Sequence, residues 1–164
     1  MFEIGSYVSY RADGVCKIVD IRRESFGAPS EGALYYVLHP KNDERSVFFL
    51  PVENERTREV MRPLLSGDEI AALIKEISAR EFSWIENAKS RGNYLKRVLS
   101  EGDRAELVYI LMLLFFHSEG KKSCATDEFA KRRASQMLFE EFSMSIDISS
   151  ADAIPELIKS FLEN

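Results

Sequence analysis

Two stretches, Ser46-Val47-Phe48-Phe49-Leu50-Pro51 and Ser66-Gly67-Asp68-Glu69-Ile70, bracket the point at which this sequence changes period. The first is a short apolar, β-favouring run stopped by a proline, which cannot donate to a strand ladder. The second is a capping box, in which a serine oxygen and a glutamate three residues on satisfy free N–H groups of a helix start. After it, Ile70, Leu73, Ile74, Ile77 and Ile85 recur at helical spacing. A strand-forming half therefore meets a helix-forming half between Pro51 and Ser66. The expected boundary lies near Arg62-Pro63, giving domains 1–64 and 65–164. The segment is not rich in Gly or Ser, so a fairly stiff connection is expected.

Upstream of the switch the strand signals are short and regularly spaced. Phe2 and Ile4, then Val8 and Tyr10, alternate at period two. Asp13-Gly14 marks a turn that tolerates positive φ. Val15-Cys16-Lys17-Ile18-Val19-Asp20-Ile21 is β-rich and partly alternating, and Gly27 to Gly32 reads as a loop. Leu34-Tyr35-Tyr36-Val37-Leu38 follows, then a polar turn from His39 to Glu44. This pattern predicts a small antiparallel barrel or strongly bent sheet.

Downstream, Tyr94, Leu95, Val98 and Leu99 form a helical stripe that stops near Gly102. Asp103-Arg104-Ala105-Glu106 is a second capping box and opens Leu107 to Phe116, apolar on every face and expected at the centre of a bundle. Thr126-Asp127 is expected to cap a helix carrying Phe129, Ala130, Ala134, Met137, Leu138 and Phe142. A last helix from about Ser150 admits Pro155 near its first turn and carries Ile154, Leu157, Ile158, Phe161 and Leu162. The expected class is α+β: a small β barrel followed by an all-α bundle of about five helices.

The chemistry of an enzyme is missing. His39 and His117 have no second histidine or cysteine at ligand spacing, and His117 fits the C-terminal end of a helix, where positive charge is favoured. There is no Walker loop, GxGxxG, GxSxG or HExxH. Glu140-Glu141 and Asp43-Glu44 read as solvated faces. Cys16 and Cys124 form no CxxC pair and read as reduced thiols. No catalytic residue, metal or cofactor is expected. The longest apolar run is too short for a bilayer and no signal peptide precedes it, so a cytoplasmic protein is expected. The net charge of −5 confines any DNA contact to a local patch of modest, salt-sensitive affinity.

Two binding features remain. Phe48 and Phe49 are adjacent on one strand and so point to opposite faces. One can fill the core while the other covers a loop or offers a partner surface. The segment Arg80 to Arg104 holds the single tryptophan, Trp84, with Arg80, Lys89, Arg91, Lys96, Arg97 and Arg104 against Glu81, Glu86, Glu101 and Asp103. A tryptophan beside cations suits nucleic acid, as wedge plus phosphate contacts, but a core tryptophan beneath a solvated face gives the same pattern. Lys131-Arg132-Arg133 is a second basic cluster.

Phe2-x-Ile4-Gly5-x-x-Val8-x-Tyr10, then Gly14-Val15, resembles the opening of the RNA-polymerase-interacting domain of CarD/CdnL-type transcription regulators, a domain shared with transcription-repair coupling factors. Tyr35-Tyr36-Val37-Leu38 and Leu50-Pro51-Val52-Glu53-Asn54 continue the likeness. In the second half it extends, in the Firmicute-like form, through Trp84-x-x-Asn87-x-x-x-Arg91, Leu99-Ser100-x-Gly102-Asp103, Leu107-Val108, Gly120-Lys121-Lys122, Asp127-Glu128 and Glu140-Glu141-Phe142. The resemblance implies a Tudor-like β domain that docks on the lobe of the polymerase β subunit. It also implies a helical domain that touches the upstream edge of the promoter bubble and stabilises the open complex, typically at ribosomal RNA promoters. By position, the polymerase-facing residues would be Arg22, Arg23, Val47, Phe48, Phe49 and Pro51. The DNA-facing ones would be Trp84, Lys89, Arg91, Arg97 and Arg133. The protein would be a monomer, nucleoid-associated through polymerase, with no membrane contact. An adaptor that binds polymerase or another partner without touching DNA is the other reading. Two departures stand out: Phe49 falls where some relatives carry a basic residue, and Trp84 is followed by Ile85-Glu86-Asn87 rather than by basic residues.

Overall fold

The computed structural model describes residues 1–27, 32–118 and 120–161. The middle of the loop between Gly27 and Gly32, and Leu162, lie outside them. The chain divides into two compact units, Met1–Leu64 and Leu65–Asn164.

The first unit is one antiparallel sheet. Its strands are β1 (Tyr7–Tyr10), β2 (Gly14–Glu24), β3 (Ala33–Pro40), β4 (Phe48–Pro51) and β5 (Met61–Pro63), with a short helix, α1 (Glu55–Val60), between the last two. The spatial order is β4-β3-β2-β1-β5. The expected barrel does not close: β4 pairs only with β3 and β5 only with β1, so both are edges. Phe2 and Ile4 lie before the first strand, and Ile4 is exposed. His39 and Pro40 extend β3 rather than beginning the turn.

β1 turns into β2 through a single 3-10 turn, Arg11–Asp13, with Arg11 at φ 45° and Gly14 at φ 80°. The register of β2 on β3 shifts between Ile18 and Asp20, a bulge that leaves Val19 unpaired and exposed. A bulge reverses the parity of facing residues. Cys16 and Ile18 point inward before it and Ile21 after it, which is why the β2 sequence alternates only in part. The core holds Val8, Cys16, Ile18, Tyr36, Leu38 and Met61, with Phe48 and Leu50 packed against it.

The second unit contains α2 (Gly67–Ser78), α3 (Ala88–Glu101), α4 (Arg104–Ser118), α5 (Ala125–Phe142), a 3-10 turn (Ala151–Ala153) and α6 (Ile154–Ser160). α4 is apolar all round, burying Leu107, Val108 and Ile110 to Leu114, and it packs against α2, α3, α5 and α6. Asp103 Oδ1 accepts from the N–H groups of Ala105 and Glu106, capping α4. α3 ends at Gly102 in the left-handed region (φ 66°), where glycine has no Cβ penalty. Pro155 sits in the first turn of α6, where its missing N–H is harmless.

The capping box of α2 is complete: Ser66 Oγ accepts from Glu69 N–H at 3.3 Å, and Glu69 Oε2 accepts from Ser66 N–H at 2.7 Å. Ser66→Ala should therefore destabilise the helical unit by about 1 kcal/mol, read as a lowered urea midpoint. An unchanged midpoint would mean that packing alone holds this helix end. The Ser66 N–H also holds the Glu69 carboxyl below its usual range. The cap's carboxylate contribution is thus present above the ordinary glutamate pKa and fades as pH falls through the lowered folded value.

Three helical expectations are corrected. α2 ends at Ser78, so Ile85 is not on its stripe. α5 begins at Ala125 with Cys124 at its cap, so Thr126-Asp127 is inside the first turn. Glu141 is not solvated: it is buried and paired with Arg104 at 2.9 Å.

Candidate functional site

The outer face of the sheet carries the first candidate surface. Pairing places Phe49 beside Val37 and Asp20, and Pro51 beside Tyr35 and Arg22, in two adjacent rows. Phe48 and Leu50 point the other way, and the Phe48 ring meets Tyr10 at 5.2 Å. Phe49 thus belongs to the outer face and Phe48 to the core, so Phe48 does not line the outer surface. Phe26 meets both Tyr35 and Phe49 edge-on, at 5.1 and 5.2 Å. The Arg22 guanidinium lies 5.6 Å from the Phe49 centroid. Glu24 and Asp20 hold it there at 2.7 and 3.3 Å. Phe26 is 62% exposed, and Val47, just before β4, is also exposed. Arg23 leaves this group and donates to the Gly32 carbonyl. The surface combines an aromatic cluster, a fixed cation and an edge strand with free ladder positions, the ingredients of a protein-docking face.

The helical unit handles its sequence candidates differently. Glu81 to Asn87 is not helical, and it lays Phe82 and Trp84 against α4. Phe82 stacks on Tyr109 at 5.0 Å, and Trp84 stacks on His117 at 3.4 Å with planes 7° apart. The Arg91 guanidinium carbon lies 4.4 Å from the Trp84 centroid. Two groups at those distances cannot share one face of the ring, so the indole lies between them. Arg91 is 7% exposed. It donates to Asp127 through Nε (3.0 Å) and Nη2 (3.2 Å), and to the Ile85 carbonyl through Nη1 (2.9 Å). The bond to Asp127 raises the Arg91 pKa, against the desolvation of burial.

This geometry corrects two expectations. The two faces of Trp84 are taken by His117 and Arg91, which leaves neither face free to stack on a base. Arg91 has its donors committed inside the unit and is no phosphate contact. The cluster joins the Glu81–Asn87 segment, α3, α4 and α5, so its work is architectural. Arg97 is exposed but paired with Glu101 at 3.0 Å. Lys131 is tied to Glu128 and Ser118. Lys89 and Arg133 are exposed, and among the described residues neither has an ion pair. No group of three or more His, Cys, Asp or Glu that could hold a metal occurs among the described residues. No described helix is long and apolar enough to cross a membrane.

The family model of the CarD-like/TRCF RID domain matches the chain from residue 2 to residue 65. The matched span coincides with the β unit. No curated protein matches the chain.

The RID family is a protein-interaction family. The sequence offered no signal for Phe26 in the outer face of the sheet, because it lies outside the strand pattern and reaches Phe49 only through the fold. Within the RID core, burial and then Asp13 push the Cys16 thiol up to about 12, whereas Cys124 is exposed. The thiolate is the reactive form. Iodoacetamide at neutral pH should therefore label Cys124 alone in the native protein and both thiols in urea, as read by mass spectrometry. Rapid native labelling of Cys16 would show that the RID core opens readily.

Proposed function

We propose that the chain is a transcription regulator. In this reading its RID domain binds the RNA polymerase β subunit through the β4 edge and the Phe49–Arg22–Phe26 face. The helical unit contacts promoter DNA upstream, without sequence readout, and stabilises the open complex. The observation that carries the reading is the RID match over residues 2–65 together with the aromatic cluster in which exposed Phe26 meets half-buried Tyr35 and Phe49. DNA contact rests on exposed cations, Lys89 and Arg133, with Arg97 exposed but paired with Glu101. With a net charge of −5, intrinsic DNA affinity is weak. Tethering to polymerase compensates by raising the local concentration of the helical unit.

The test is open-complex lifetime on a ribosomal RNA promoter with cognate polymerase. The Lys89→Glu/Arg133→Glu variant should shorten the lifetime that the wild-type chain confers, while its affinity for polymerase is unchanged. An unchanged lifetime with intact polymerase binding would remove DNA from the reading and leave an adaptor. One feature favours that second reading: an apolar groove on the helical unit.

A further inference from the structure

A groove of about 500 Å³ runs between α3 and α5. Its walls come from residues at positions 92, 95, 96, 99 and 100 of α3, and 126, 129, 130 and 133 of α5. Apart from Ser100 at the end, both sets follow the i, i+3, i+4, i+7 spacing of one helix face, so the groove is elongated along two helices. Leu95 and Ala130 are fixed in the core at its floor, and Leu99 is half-buried. Phe129 stands on its wall 58% exposed. Lys96 and Arg133 lie along the rim, and no carboxylate lines the groove. Among the described residues neither of these cations has an ion pair.

Gly92 adds an independent observation. A glycine inside a helix costs about 0.5–1 kcal/mol relative to alanine. Here neither backbone nor packing requires it. Its φ is not positive, and a Cβ built there would meet only the Thr126 methyl, at an ordinary 3.6 Å. What the missing side chain provides is depth in the groove.

We propose that the α3–α5 groove is a docking site for an acidic amphipathic helix of a partner protein. The apolar floor takes the partner's leucine-like residues at i, i+3 or i+4, and i+7. Lys96 and Arg133 meet carboxylates on its flanks, and Gly92 admits close approach of its backbone. A DNA duplex fits less well, because phosphates gain nothing from Leu95, Leu99, Phe129 and Ala130 while only two cations border the groove. The proposal shares Arg133 with the promoter-DNA reading but survives that reading's failure, because its floor and Lys96 take no part in it.

The test uses the full-length 15N-labelled chain and a synthetic helical peptide of roughly 16 residues, long enough to hold a helix. The peptide carries leucine on one face and glutamate on its flanks. A second peptide carries lysine in place of every glutamate. The acidic peptide should shift amides of α3 and α5, and the basic one should not. Phe129→Ala should weaken binding about tenfold or more, and Gly92→Leu should abolish it. Gly92→Ala separates fold from function: it should raise helical-unit stability while weakening binding. Absence of binding by the acidic peptide, or binding insensitive to Phe129→Ala in a folded variant, would overturn the proposal. Duplex DNA shifting the same amides when the peptide does not would assign the groove to nucleic acid. Concentration-dependent dimerisation lost in Phe129→Ala would assign it to a second copy.

Discussion

Arg91→Ala is expected to destabilise the helical unit by about 3–5 kcal/mol, a large fraction of the roughly 5–15 kcal/mol that holds an ordinary domain folded. The truncation leaves Asp127 buried with its charge uncompensated, strips a donor from the Ile85 carbonyl and opens space beside Trp84. Removing one partner of a buried pair is far more damaging than removing both. Arg91→Met/Asp127→Leu should therefore recover much of the loss. Trp84 is the only tryptophan and belongs to the same cluster, so its fluorescence in a urea titration reports this unit. A loss below about 1 kcal/mol would place the pair in solvent and return Arg91 to the list of candidate phosphate contacts.

Phe49→Asp is expected to weaken binding of the full-length chain to the polymerase β subunit by about 30-fold or more, the loss of one central anchor worth about 2 kcal/mol. The fold should survive, because Phe49 faces outward in β4 while Phe48 and Leu50 carry the core contacts. Phe48→Ala should do the opposite, lowering RID stability by about 2–3 kcal/mol with little direct effect on the outer face. Calorimetry with the β-subunit lobe, paired with thermal melts, separates the two. Wild-type affinity in Phe49→Asp would move the docking surface away from the Phe26–Phe49–Arg22 face.

The elements legible in the sequence are those with a local cause. The capping box at Ser66 and the unbroken apolar run of α4 each announce a helix from neighbouring residues alone. The adjacent pair Phe48-Phe49 had to split between two faces, because strand geometry leaves no alternative. Which ring went inside depended on the pairing of β4 with β3, which sets Phe48 opposite the core residue Leu38 and Phe49 opposite Val37, and which no local pattern marks. Whether the sheet closed into a barrel rested on β5, three residues that are too few to show a period. The hardest feature to read was the Trp84–Arg91–His117–Asp127 cluster. Its members are spread from residue 84 to residue 127, and a charge count along one segment cannot show that Arg91 is neutralised by a carboxylate two helices away. The groove at Phe129 was hidden for the same reason: each wall alone is half of an ordinary helix face.

The all-round apolar surface of α4 has a consequence for biosynthesis. Translation delivers α4 before α5, and at roughly 5–20 residues per second the ribosome takes on the order of seconds to supply the later helix. During that interval α4 lacks the helix it packs against most extensively. The nascent chain is therefore most exposed to chaperone capture, or to clumping with neighbouring chains, at one definable moment. A stop codon between Ser118 and Ala125 would make that moment permanent. Truncations at this point should accumulate as insoluble protein, whereas loss of α6 alone leaves the α4–α5 contact in place.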